Sequence, residues 1–365
     1  MNPTNPINTS NLHVELIDPL TDPRWDRFVE EHPYGWICHL SGWKRFLEDT
    51  FSHIRGHYFV LVNESSNNIQ AALPVYEVRS WLTGNRLVSI PFATLCDPLV
   101  STSEELDSLI REVLSLYQSK KFSHLEIRAL SSPSLFTNND FVAIKFYKHH
   151  FILLDRDPEK LKKTFHRTCV RQRINRALKS ELTLRMGKAE TDLEEFYKLH
   201  LLTRKRRALP PQPYRFFKNL WGTFHSDGKV SLLLAQKDDR ILAALILFKF
   251  KNRVSVEYAA SDESFVKISP NHFLFWEAIK IAYQDGFQIF DFGRTSPTNE
   301  SLMDFKRRWG TQVIDLPQFI YPKAAAGEIE ASEESWKFRL ITRICDRAPD
   351  SFQRIIGNFC YRHLG

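Results

Sequence analysis

The sequence predicts an α/β fold made of two tandem copies of one unit, each a mixed, mainly antiparallel sheet flanked by helices. Three observations carry this. A pentapeptide pattern recurs in the same strand-like setting, the neighbouring elements recur in the same order, and the composition is that of a globular chain long enough for two domains.

The repeat is clearest at two hairpins. Ile69-Gln-Ala-Ala-Leu73 follows Tyr58-Phe-Val-Leu-Val62 across a polar turn, and Ile241-Leu-Ala-Ala-Leu245 follows Val230-Ser-Leu-Leu-Leu234 across another. Two apolar runs separated by a short polar turn read as a β-hairpin. Before each lies a stretch with aromatics on one helical face, Trp43 to Phe51 and Tyr214 to Phe224. After each come a β-rich run (87–90 and 254–258), a helical stretch (104–119 and 270–284) and a short strand with an acid, Glu126 or Asp291. Ser269 and Pro270 give the second of these helices an N-cap and a first-turn proline. We place the first domain at 12–154, the second at 155–322 and a basic tail at 323–365, opening on the small, flexible stretch 324–327.

Hydrophobic residues make up 43% and charged residues 25% of the 365, which excludes a disordered chain. The five cysteines are widely spaced and form no C-x-x-C pair, so neither a disulfide framework nor a metal site is predicted. The polar start, 1–11, does not read as a signal peptide, and the longest apolar run, 241–248, is too short to span a bilayer. A cytoplasmic protein is expected, with any membrane contact peripheral and at the inner face. A net charge of +7 favours anionic partners.

The most distinctive stretch is Asp291-Phe-Gly-Arg294, a polar loop, then Phe305-Lys-Arg-Arg-Trp-Gly310. A strand, a glycine turn and a short cationic helix suit stabilisation of a developing oxyanion, though a loop with a solvated basic helix fits the same residues. This signature, with the stretches 73–79, 86–92, 124–128 and 269–271, resembles the Fem-like (FemAB-type) proteins, tandem transferases of the GCN5-related acetyltransferase (GNAT) fold. Within them the similarity is greatest to members associated with exopolysaccharide and exosortase systems.

The resemblance implies an acyl- or aminoacyl-transferase acting on an amine or hydroxyl of a peptidoglycan or exopolysaccharide precursor. The co-substrate would be an activated acyl donor, aminoacyl-tRNA or acyl-CoA. Lys306 would supply charge, with Asp291 or Glu257 as base. Arg294, Arg207, Tyr214, Tyr258, Asn271, Trp309 and Gly310 are the expected substrate-binding residues. For Asp291 a structural ion pair is an equal expectation. Two departures bear on the donor: the stretch 261–269, where a coenzyme A enzyme carries a glycine-rich phosphate loop, has no glycine and two acids, and the long helical-hairpin insertion of some peptidoglycan Fem enzymes, an element for tRNA binding, has no counterpart in the sequence. The rival reading is therefore a non-catalytic module of degenerate fold that binds RNA or an anionic glycolipid.

Two further segments bear on partners. Residues 160–179 hold eight Lys or Arg, with Phe165, Val170, Ile174 and Leu178 near helical spacing, so one helix with a basic face is expected, anion-binding or simply solvated. Arg204-Lys-Arg-Arg207 adds a second cluster. In the tail, apolar residues at spacings of three and four alternate with arginines from Trp336 to Leu364. Such helices dock on an anionic membrane or pack on the protein's own body.

Overall fold

A computed structural model describes residues 12–138, 140–332 and 336–364. The expected Met1–Asn11 segment lies outside them. In chain order the first elements are β1 (Leu12–Ile17), α1 (Trp25–Glu31), α2 (Ser41–Thr50), β2 (Ile54–Asn63), β3 (Asn68–Val78), β4 (Arg86–Val88), α3 (Ser103–Lys120) and β5 (Leu125–Arg128). There follow β6 (Val142–Leu153), α4 (Pro158–Lys162), α5 (Gln172–Leu178), β7 (Thr183–Met186), α6 (Glu190–Arg206), α7 (Tyr214–Phe224), β8 (Val230–Lys237), β9 (Arg240–Phe250) and β10 (Arg253–Ser261). The chain ends with α8 (Pro270–Gln284), β11 (Ile289–Thr295), α9 (Glu300–Arg307), β12 (Gln312–Tyr321), α10 (Ala326–Ser332), α11 (Trp336–Arg347) and α12 (Asp350–Cys360).

The order β, α, α, β, β, β, α, β thus occurs twice, as the duplication predicts, and each copy is the nucleus of one compact unit. In the first unit β1, β2, β3 and β4 pair antiparallel in succession, and β4 runs parallel to β5. In the second, β7 to β10 pair antiparallel, and β10 runs parallel to β11. Side chains alternate across each sheet. Phe59, Leu61, Leu73 and Val75 meet Leu106, Leu109 and Ile110 of α3, whereas Tyr58 meets Trp25 of α1 edge-on, 5.0 Å between rings. A capping box opens α3: Glu105 N donates to Thr102 Oγ1, and the Glu105 carboxylate accepts from Thr102 N.

The units are not the contiguous stretches expected. The first comprises residues up to Ile144 plus Gln318–Ala326; the second comprises Lys145–Pro317 plus Gly327–Leu364. The reason is pairing: β6 follows β5 in the chain yet pairs antiparallel with β11, and the end of β12 pairs antiparallel with β5. Each sheet is completed by the strand that follows the other copy.

Two local expectations are corrected, and a third, the start of α8 at Ser269 and Pro270, holds in position but without a side-chain cap. Residues 160–179 are not one helix: the chain breaks between α4 and α5, where His166 N donates to the Arg308 carbonyl, and Leu178 is exposed. Ser269 occupies the N-cap position of α8 in the left-handed region, φ 60°, and its hydroxyl makes no cap. The stretch 324–327 is a helical turn leading into α10, not a flexible linker.

Candidate active site

Strands β10 and β11 of the second unit are paired only over Arg253–Ser255 and Ile289–Asp291. Past this point the register of β10 on β9 shifts between Val256 and Tyr258, so Glu257 is the extra residue of a bulge. The bulge re-aims the side chains that follow. Val256 stays with the α8 core, whereas Tyr258 turns to Phe216 and Phe217 of α7, ring centroids 6.0 and 5.0 Å away. On β11 a second shift falls between Asp291 and Gly293. Gly293 has φ 72°, a backbone that a side chain would strain.

Lys306 comes from the last turn of α9, whose start is capped by Asn299 Oδ1 accepting from Leu302 N. It is 5% exposed, and its ammonium donates to the carbonyls of Gly293 (2.9 Å) and Arg294 (3.0 Å). An ammonium has three donors, and the third has no hydrogen-bond partner among the described residues. Burial pulls Lys306 down to about 7, against the raising influence of Asp291 and Glu257. Burial lifts the Glu257 carboxyl to about 7, opposed by the Ser255 hydroxyl that donates to it at 2.6 Å and by Arg294 and Lys306. The site thus holds an acid and a base that both titrate near neutrality, the pattern expected of groups that move protons.

Asp291 does not fit the part of base. It is fully buried, 3.0 Å from His149 Nε2 and 2.7 Å from Arg253 Nη1, and its other oxygen accepts from Gly293 N at 2.6 Å. Its own burial opposes ionisation, but His149 and Arg253 outweigh this and hold the carboxyl far below the usual range. It anchors the end of β11. The ion pair with Arg253 and the histidine contact are the structural alternative that the sequence left open.

The other expected residues divide. Arg294 lies over the Tyr147 ring at 4.7 Å, and Arg207 is exposed at the end of α6; neither has a carboxylate partner among the described residues. Both act electrostatically on Lys306. Tyr258 stands at the bulge beside Glu257, its hydroxyl pushed well up, chiefly by burial. Tyr214 donates to Glu190 at 3.3 Å and packs on Tyr197, a surface position on α7. Asn271 Nδ2 donates to Ser261 Oγ at 2.9 Å, tying α8 to β10, while its carbonyl oxygen is buried without a partner.

Trp309 and Gly310 are corrected. Trp309 is 0% exposed and sits in an aromatic core with Phe165, His272, Phe275 and Phe292. Gly310 has φ 71° and faces Thr164. Both seat α9 so that Lys306 reaches β11.

Sequence reasoning missed His149, Arg253 and Tyr361. Two histidines within the strand-like run 142–153 were the available signal for the first. Tyr361, just past α12, is buried and feels Arg204 and Arg294, and it raises Tyr258 in turn. In the first unit Glu126, the acid matching Asp291, pairs with Arg128 at 3.1 Å, and Arg128, just past the β4–β5 pairs, also donates to the carbonyls of Ala93 (2.5 Å) and Ile90 (3.1 Å).

Residues 164–307 match a family model described as an acetyltransferase (GNAT) domain. The chain is 22% identical over 317 residues to a UDP-N-acetylmuramoylpentapeptide-lysine N(6)-alanyltransferase of Weissella viridescens, covering 80% of this chain and 90% of that one. In fold it is similar to the crystal structure of FemX, with TM-score 0.67, 16% identity and 85% and 97% of the two chains covered. L-PGS from Bacillus licheniformis also has a similar fold, with TM-score 0.55, 15% identity and 91% and 98% covered.

Proposed function

We infer that this chain, a member of the Fem-like transferases of GNAT fold, moves an aminoacyl group from an activated ester to an amine or hydroxyl of a cell-envelope or exopolysaccharide precursor at the inner face of the membrane. The observation that carries the reading is the placement of two ionisable groups at the opening of β10 from β11: Lys306, buried with two of its three donors engaged, and Glu257, half-buried on the bulge, whose surroundings draw the ammonium down and the carboxyl up, each to about 7. The acceptor attacks the ester carbonyl: its N–C or O–C bond forms, Glu257 takes the acceptor's proton, the bond to the leaving oxygen breaks, and Glu257 returns that proton to the leaving oxygen as it departs. The Lys306 ammonium, held by two carbonyls with one donor to spare, faces the charge that develops on the carbonyl oxygen. Arg294 and Arg207 supply further positive charge for an anionic substrate.

RNA suits the donor better than coenzyme A. In the loop before α8, Asp262 caps Ser264 and pairs with Arg240 at 2.9 Å, and Glu263–Ile268 coils into a 3-10 helix. Acids and a closed turn do not cradle a pyrophosphate. Beside this loop, Arg176 of α5 donates to the Lys267 carbonyl, and Arg167, Arg173 and Lys179 are exposed, a basic flank suited to a phosphate backbone. The degenerate-module alternative gains nothing from this arrangement, since a solvated patch needs no buried lysine and no carboxyl raised towards neutrality.

The test offers labelled alanyl-tRNA or labelled acetyl-CoA with UDP-N-acetylmuramoyl pentapeptide as probe acceptor. Label passing from the tRNA supports the reading; passage from acetyl-CoA alone refutes the donor, and inertness of both across amine and hydroxyl acceptors refutes the transfer.

A further inference from the structure

The tail packs on its own body, yet only with one face. Helix α12 is seated by Gly357 against the Pro211 carbonyl, where a Cβ would collide, and by Gln353, whose amide donates to the Cys345 carbonyl at 2.7 Å. Arg354 lies over the Tyr197 ring at 5.6 Å, and Cys345 and Cys360 are buried. With that face fixed, Phe352, Ile355 and Phe359, at helical spacings of three and four, point outward and are 55%, 61% and 49% exposed. Ile344 of α11 adds 46%. Folded chains rarely leave such a row of large apolar side chains in water.

We propose that the outward face of α12, with the exposed end of α11, is a docking surface for an anionic lipid bilayer. Charge selects this occupant. Residues 336–364 carry six Lys or Arg against two Asp, and Arg343, Arg347 and Arg362 of the same helical tail are exposed. Phenylalanine and isoleucine on one side of a helix with arginines along its flanks is the pattern of a helix lying in the lipid interface. A second copy of this chain would bring the same arginines face to face and repel. The helix is pre-seated, so docking needs no ordering of the tail. The proposal concerns where the protein works and stands apart from the transfer chemistry.

Vesicle flotation of the full chain tests it, with phosphatidylcholine alone and with about 30% phosphatidylglycerol added. The parent floats with the anionic vesicles and is released by salt. The triple variant Phe352→Ser/Ile355→Ser/Phe359→Ser, altered only on the outward face, binds at least about tenfold more weakly at unchanged melting temperature. Arg343→Glu/Arg347→Glu weakens binding without touching the apolar row. Failure of the parent to float, equal flotation with neutral vesicles, or a parent dimer that the triple variant converts to monomer would overturn the proposal.

Discussion

Lys306, Glu257 and Asp291, from a helix and two adjacent strands, show how three ionisable groups are given different work by their surroundings. Asp291 is saturated with donors and stays ionised; its folded-state pKa is depressed, so its stabilising share is complete at neutral pH and fades only in acid, below the ordinary carboxylate range. Asp291→Asn should leave His149 and Arg253 facing an uncharged partner and cost about 3 kcal/mol, read by urea unfolding. Glu257 and Lys306 are pushed towards each other, one up and one down, both to about 7. A base must be ionised, which holds above its pKa, and a cation must be protonated, which holds below its own. The rate should therefore pass through a narrow maximum near neutrality, and Glu257→Gln should remove the acid limb. Lys306→Ala strips two buried carbonyls of their donor, so turnover and stability should both fall, the latter by about 1–3 kcal/mol on thermal melting. The residue types here were legible in the sequence, because strand-end acids and a lysine at the signature stand out. Which acid is spent on structure was not legible, since His149 and Arg253 reach Asp291 from remote parts of the chain.

At the scale of elements, hairpins and helices were readable because their apolar residues repeat with periods of two and of three to four. The exchange of β6 and β12 was not, since a strand's own pattern does not say which edge it will join. Nor was the break after α4: there His166 turns the chain, its side chain capping the helical turn Arg167–Arg171 that leads into α5 and its N–H donating to the Arg308 carbonyl, more than a hundred positions away. Trp309 misled for the same reason, as a conspicuous aromatic in a signature turned out to be the packing that holds α9 in place. The seating of α12 makes a prediction at this scale. Gly357→Val forces a side chain into the Pro211 carbonyl, and should cost about 1–3 kcal/mol and expose the tail to limited proteolysis.

The whole molecule is a duplication whose halves have diverged in use. Both units keep the same order of elements and the same parallel strand pair, but the first unit closes over a buried arginine where the second keeps a bulge, an acid and a lysine. Arg128→Met should therefore lower stability, through the carbonyls of Ile90 and Ala93, and leave the kinetics of the transfer step unchanged. The central claim is that proton transfer takes place at the bulge of the second unit. Single-turnover transfer from aminoacyl-tRNA, compared between parent and Glu257→Gln proteins of equal melting temperature, tests it most directly. A rate lowered about 10²- to 10⁴-fold at neutral pH is predicted, and a rate within twofold or so of the parent would contradict it.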